Sequence, residues 1–304
     1  MKSLAAILIC LFGSVAFGQE TCLEKAREIA PQLSVEARRD FEMKFTEARE
    51  NFTKNPDDVE NVIWLGRRTA YLGHYKNAIA IYTEGIRRFP SDARMFRHRG
   101  HRFLTLRCFD DAIADFKTAA FWVKGTPDEI EPDGVPNARN IPTSTLQSNI
   151  WYHLGLAYYL KGDFRRALDA YREAEKFSKN ADMLVATTHW LYMTLRRLGR
   201  ESEAKKALIP IADNLEVIEN GDYYKLLKLY QGKLAPADLL SDSNRSADTL
   251  SNATLGYGVG NWFLNNGRKS EAEKIFRQIL TGHQWASFGY IAAEVELTRS
   301  FDKR

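Results

Sequence analysis

Cysteine is almost missing from this chain: three in 304 residues, at Cys10, Cys22 and Cys108. So sparse a set excludes a disulfide-framework scaffold and any zinc-type ligand spacing. Proline is scarce as well, nine in all, and four of them crowd into one stretch, Pro127 to Pro142. After the first residues no apolar run approaches the roughly 20 residues that a membrane-spanning helix needs. There is no Gly-rich phosphate loop and no Gly-x-Ser-x-Gly elbow, so the sequence reads as a non-enzyme with no cofactor and no metal. His98 and His101 sit three apart on one predicted helix, but Arg97, Arg99 and Arg102 beside them would repel a cation. A net charge of +4 is too mild for the positive field that nucleic-acid binding requires, so nucleic acid is not an expected partner.

The beginning of the chain has the pattern of a leader. Met1-Lys2 is positive, Leu4–Phe12 is apolar, and Ala16-Phe17-Gly18 is a small-x-small cleavage site. Residues 1–18 are therefore a predicted signal peptide, with Gln19 as the first mature residue and a periplasmic or secreted destination. The mature part is predicted to carry no transmembrane segment. Neither Cys10 nor Cys22 lies in a lipid-attachment sequence, and Cys22 and Cys108 either pair or stay as free thiols.

The rest of the chain is organised by recurrence. In Ser148–Asp182, Trp151, Leu154, Gly155 and Tyr158 line one helical face. Gly162-Asp163 breaks it, and Phe164, Ala167, Tyr171 and Ala174 line a second. The small anchor of that second helix recurs as Ala78, Ala112, Ala167, Ala204 and Ala272, at intervals of 34, 55, 37 and 68 residues. One repeat is 34 residues, so the interval of 55 contains an insertion and the interval of 68 two units. Twelve residues before the anchor stand Gly66, Gly100, Gly155 and Gly260, with Tyr192 in the fourth unit. Four residues after it stand Tyr82, Phe116, Tyr171 and Phe276, with Leu208 in the fourth. This pattern resembles the tetratricopeptide repeat (TPR). The resemblance implies an all-α solenoid of helix-turn-helix hairpins with helical caps, acting as a binding scaffold.

On that reading residues 19–54 form an N-terminal cap, with helices over Cys22–Ile29 and Val35–Asn51. Residues 55–124 hold units one and two. Asn55-Pro56 is expected to cap and open the first helix, and Pro90-Ser91-Asp92 to cap a helix over Ala93–Leu106. Residues 125–147 are an acidic Pro/Gly-rich insertion, with its body at Lys124–Ser144. Units three and four occupy 148–215. Residues 216–250 contain a degenerate unit, with a helix at Tyr223–Tyr230, a turn at Gly232 and a shortened partner at Ala235–Leu240. A polar linker follows at Ser241–Ser251. Residues 251–304 hold the fifth unit and a capping helix over Trp285–Ser300.

In tetratricopeptide proteins fixed positions of each first helix line the concave groove. Carried over, they place Glu60, Ile63, Arg67, Ala70 and Tyr71 in the first unit, and Arg94, Arg97, His101, Leu104 and Thr105 in the second. The third unit contributes Asn149, Tyr152, Leu156, Tyr159 and Leu160, and the fourth His189, Met193, Arg196 and Arg197. The resemblance thus implies a groove that is basic through Arg67, Arg94, Arg97, His101, Arg196 and Arg197, and aromatic through Tyr71, Tyr152 and Tyr159. Such a surface is expected to hold a protein partner by an extended acidic segment. Two alternatives stay open: the acidic loop Asp128–Asp133 folds back over the arginines, or the groove takes a solute or glycan. The segments His189–Gly199, Lys225–Leu240, Leu255–Leu280 and Phe288–Leu297 follow an order similar to that of the NlpI-type periplasmic tetratricopeptide adaptors, a resemblance that implies an envelope adaptor.

Overall fold

The computed structural model describes residues 21–243 and 250–301; the leader with its cleavage site, and the middle of the 241–251 linker, lie outside the described residues. Among the described residues no helix is long and apolar enough to cross a membrane.

The chain begins with a short helix α1 (Cys22–Lys25) and a long one, α2 (Val35–Lys54). The predicted helix to Ile29 stops early, because the segment after Lys25 is used elsewhere. Leu23, Ala26 and Ile29 pack on the apolar core of the first unit. Glu28 accepts a hydrogen bond from the Lys76 backbone amide at 2.7 Å. That carboxylate satisfies an orphan amide at the start of α4, whose own N-cap, His74, supplies no side-chain bond. Cys22 is bonded to Cys108, across 86 residues of sequence, fastening this arm to the turn of the second unit.

The first unit is α3 (Val59–Tyr71) and α4 (Tyr75–Arg88). The Asn55-Pro56 expectation is corrected here: Asn55 terminates α2, and Asp58 caps α3 by accepting from the Glu60 amide. Proline at 56 thus sits in the connecting turn, where the chain needs no donor. The second unit is α5 (Ala93–Thr105) and α6 (Phe109–Trp122), with Asp92 as the N-cap of α5. The third is α7 (Leu146–Lys161) and α8 (Phe164–Phe177), and the fourth α9 (Ala181–Arg197) and α10 (Glu201–Ala207). Then come α11 (Gly221–Tyr230), α12 (Pro236–Ser243), α13 (Leu250–Asn265), α14 (Lys269–Ile279) and α15 (Phe288–Ser300).

Within each full hairpin the glycine of the first helix meets the aromatic of the second. A Cβ on Gly66 would fall 2.4 Å from the Tyr82 ring, and one on Gly155 2.7 Å from Tyr171. The contact therefore demands glycine, and Ala78, Ala112, Ala167, Ala204 and Ala272 beside it are fully buried. Unit four departs because its second helix is short. Tyr192 stacks instead on Tyr230 of α11, ring centroids 4.3 Å apart. Trp151 and Tyr158 complete the third unit's seam: Trp151 is half-buried and Tyr158 buried.

The stack does not remain an open spiral. Trp285, before α15, is buried in the core of the first unit against Tyr75. Arg107 lies over the Trp285 ring at 3.9 Å, and binds the Trp285 carbonyl and Glu294. The C-terminal unit thus returns to the N-terminal one.

Candidate functional site

That return fills much of the concave surface. Tyr159, 1% exposed, accepts from the Tyr257 hydroxyl at 2.9 Å and from Asn261 at 2.8 Å. Leu156, Leu160, His189 and Met193 are likewise buried. His189 is sandwiched by Tyr223 and Tyr230. Arg196 donates to Tyr192 and to the carbonyl of Asn265 at the end of α13. Arg197 pairs at 2.5 Å with Glu296, itself 1% exposed, which also meets Arg299. Tyr159, Arg196 and Arg197, expected to face a partner, are therefore the seam that holds α13 and α15. Inward-facing positions are indistinguishable in sequence from groove positions, because both lie on the same side of the first helices.

The basic half is filled by the insertion. Leu146 donates its amide to the Glu129 carbonyl and Glu131 donates to the Ser144 carbonyl, closing the base of the loop. Glu131 then enters the groove and pairs with Arg97 at 2.9 Å, both side chains at most 10% exposed. Arg68 donates to the Gly134 carbonyl at 2.7 Å, and Arg67 bonds the Tyr71 hydroxyl and lies over Trp64. The space left between Arg67, Tyr71, Arg97, Arg102 and Glu131 is only about 90 Å³, too small for a peptide. Arg94 pairs with Asp92 at 2.6 Å and with Glu60. An extended acidic partner would have to displace the chain's own carboxylates here, so Arg67, Arg94 and Arg97 are not free to receive one.

His101 escapes this closure only on its other side. Its ring faces His153 at 4.7 Å and Phe288 at 5.4 Å, at the wall of a cavity of about 620 Å³. The cavity lies between α5, α7, α9, the start of α11, the return of the insertion and the α14–α15 turn. Asp133, Tyr152, Glu219, Asp222, Tyr223 and Phe288 are among its walls. Burial and the neighbouring arginines push the His101 pKa well below its ordinary value. Burial, foremost, brings His153 to about 3. Both rings are thus neutral at physiological pH.

One buried carboxylate builds the cavity's rim. Asp182, 2% exposed in the first turn of α9, accepts from the amides of Ile218, Glu219 and Asn220 at 3.0, 2.7 and 2.8 Å. Glu219 is in turn held by Asn137 and Thr143 of the insertion, at 2.5 and 2.9 Å. Burial and the nearby Glu219 raise the Asp133 pKa, against Arg67, which lowers it. Of the groove positions expected from the sequence, His101, Asn149 and Tyr152 reach this cavity. Asp133, Glu219, Asp222, Tyr223 and Phe288 come from loops and helix ends outside the repeat register, where no periodic signal marks them.

Comparison with known proteins agrees with the hairpins. Two tetratricopeptide repeat families match, over residues 65–129 and 148–181. A curated relative, BBSome complex member BBS4 of Bos taurus, is 26% identical over 141 residues. That match spans 46% of this chain and 23% of the relative, so the chain covers about a quarter of that protein's length. A tetratricopeptide repeat protein from Parabacteroides merdae superposes with a TM-score of 0.48 at 16% identity, over 88% of this chain and 97% of that one. YrrB, described as a TPR protein with an unusual peptide-binding site, gives 0.44 at 14% identity, over 79% and 95%.

Proposed function

We propose that this chain, which carries tetratricopeptide repeats over residues 65–129 and 148–181, is an exported protein-interaction scaffold whose partner docks at the cavity beside His101 and Tyr152. The family reading supplies the role of scaffold. The observation that supports this location is the closure of the rest of the groove. Units three and four are covered by α13 and α15, and units one and two by Glu131, while about 620 Å³ stays unfilled between them. A partner would insert a side chain or chain end rather than lie along the groove. The walls are held by Asp182, Glu219 and the Arg197–Glu296 pair, so little ordering entropy is lost on docking. The Cys22–Cys108 bond supports export, because such bonds persist in oxidising compartments.

A photo-crosslinking amino acid at Ala286, a half-buried residue of the cavity wall, tests this against the same group at the exposed Lys117 of α6. A protein adduct from position 286 and none from 117 is the expected result. Adducts from 117 alone would move the docking surface to the outer helices. A second reading, a solute- or glycan-binding protein, has one observation in its favour: the cavity volume lies in the range of small-molecule sites. It predicts thermal stabilisation by a neutral sugar and no adduct at 286.

A further inference from the structure

The cavity's chemistry narrows what enters it, and this step rests on the docking site just proposed. Asp133, Glu219 and Asp222 are three carboxylates on its walls, and none of the lining residues is lysine or arginine. Outside the lining, Lys225 approaches Asp222 at 3.9 Å, and Arg67 acts on Asp133 from behind the insertion while shared with Glu131 and Tyr71. Glu219 is bonded by an amide and a hydroxyl, both neutral. The Oδ2 of Asp133 is buried and has no hydrogen-bond partner.

The neutral groups point the same way. His153 is 5% exposed, and its Nδ1 donates to the Asn149 carbonyl at 2.6 Å. With its Nδ1–H used, the ring offers Nε2 as an acceptor only. The Asn149 Nδ2 donates one of its two protons to Ser144 at 2.9 Å, and its Oδ1 remains an acceptor. Tyr152, Tyr223 and Phe288 complete the walls with aromatic rings. An excess of negative charge, neutral acceptors and aromatic walls are together complemented by one common group. An ammonium has three donors and no acceptor, and is attracted to the faces of aromatic rings. An anion would meet three like charges, and a neutral hydroxyl compound would bring no positive charge to the three carboxylates, of which Asp133 is half-buried and only partly offset by Arg67.

We infer that the cavity receives a protonated alkylamine: the side chain of a lysine, or the amino terminus, presented by the partner. The groove expected to select acidic segments thus selects a basic one.

The test is calorimetric titration of the full mature chain at low salt with cadaverine, a lysine-containing peptide, butyrate, butanol and glucose. Cadaverine and the peptide are expected to bind, and butyrate not at all. Glu219→Gln and Asp133→Asn, each checked for an unchanged melting temperature, are expected to weaken amine binding by about tenfold or more, the loss of one ionic hydrogen bond. Tighter binding of the peptide assigns the ammonium to a protein; tighter binding of cadaverine assigns it to a free amine. Equal binding of butyrate or butanol, or amine binding indifferent to both substitutions, overturns the inference. If every amine fails while the adduct at position 286 persists, the ammonium is wrong and the docking site stands; if both fail, the docking site falls with it.

Discussion

Glu131→Gln removes one negative charge and almost no volume, and its cost follows from where the residue lies. The carboxylate is 2.9 Å from Arg97 with both side chains at most 10% exposed. At an effective dielectric of about 20 the pair attraction is about 6 kcal/mol. Part of that is offset by the dehydration of both groups, but the variant recovers none of it for Arg97, whose guanidinium stays buried. Breaking one side of such a pair costs about 3–5 kcal/mol. In a chain of this size that lowers the melting temperature by roughly 6–20 °C. Because Glu131 also carries the insertion into the groove, its loss should free the loop and speed tryptic cleavage after Arg139, which is already exposed but held in the folded loop. Urea denaturation followed by tryptophan fluorescence, with timed trypsin digestion, measures both, and Glu129→Gln is the exposed control. A change below about 1 kcal/mol with unaltered cleavage at Arg139 would refute the view that Glu131 is the keystone of the insertion.

Reduction, or Cys22→Ser, should lower stability by about 2–4 kcal/mol, since the bond closes 86 residues; urea midpoints with and without reductant read this. The pKa values of His153 and His189 are held at about 3 by burial, against an ordinary 6.5. Between those limits the unfolded chain binds protons that the folded one refuses, so stability falls as pH drops. The slope is roughly 1.4 kcal/mol per pH unit for each such histidine. Urea midpoints measured from pH 7 to 5 should fall steeply, and less steeply in His189→Gln; identical slopes would contradict this. Gly155→Ala, forcing a Cβ to within 2.7 Å of the Tyr171 ring, should cost about 1–3 kcal/mol by overpacking, read by calorimetry.

The hairpins were legible because their determinants are local and periodic. Gly66 and Tyr82, or Gly155 and Tyr171, lie sixteen residues apart and report one contact each time. What escaped were contacts between distant segments. Glu28 looked like a helix former, yet it caps α4. Arg196 and Arg197 looked like groove residues, yet they fasten α13 and α15. The fold-back of Asp128–Asp133 was one of two open alternatives, because an acidic loop leaving an arginine-rich helix is drawn to it by charge alone. The cavity's carboxylates were invisible, since Asp133, Glu219 and Asp222 meet only after the insertion has crossed to the start of α11.

The seat of Trp285 has a consequence for how the molecule comes into being. A repeat array ordinarily folds unit by unit, each hairpin completed by its neighbour. Here the first unit's core lacks a wall until a tryptophan near the far end arrives, and Arg107 must wait for a carbonyl 178 residues away. Closure over that length is slow, and the intermediate exposes an apolar notch. For a chain threaded through a membrane amino-terminus first, the notch on the emerged portion stays open until almost the whole polypeptide has crossed. If the chain is exported as proposed, native shape would be withheld during transit and acquired in one late step, after which the array would behave less like a spring of separable coils than like a clasped ring.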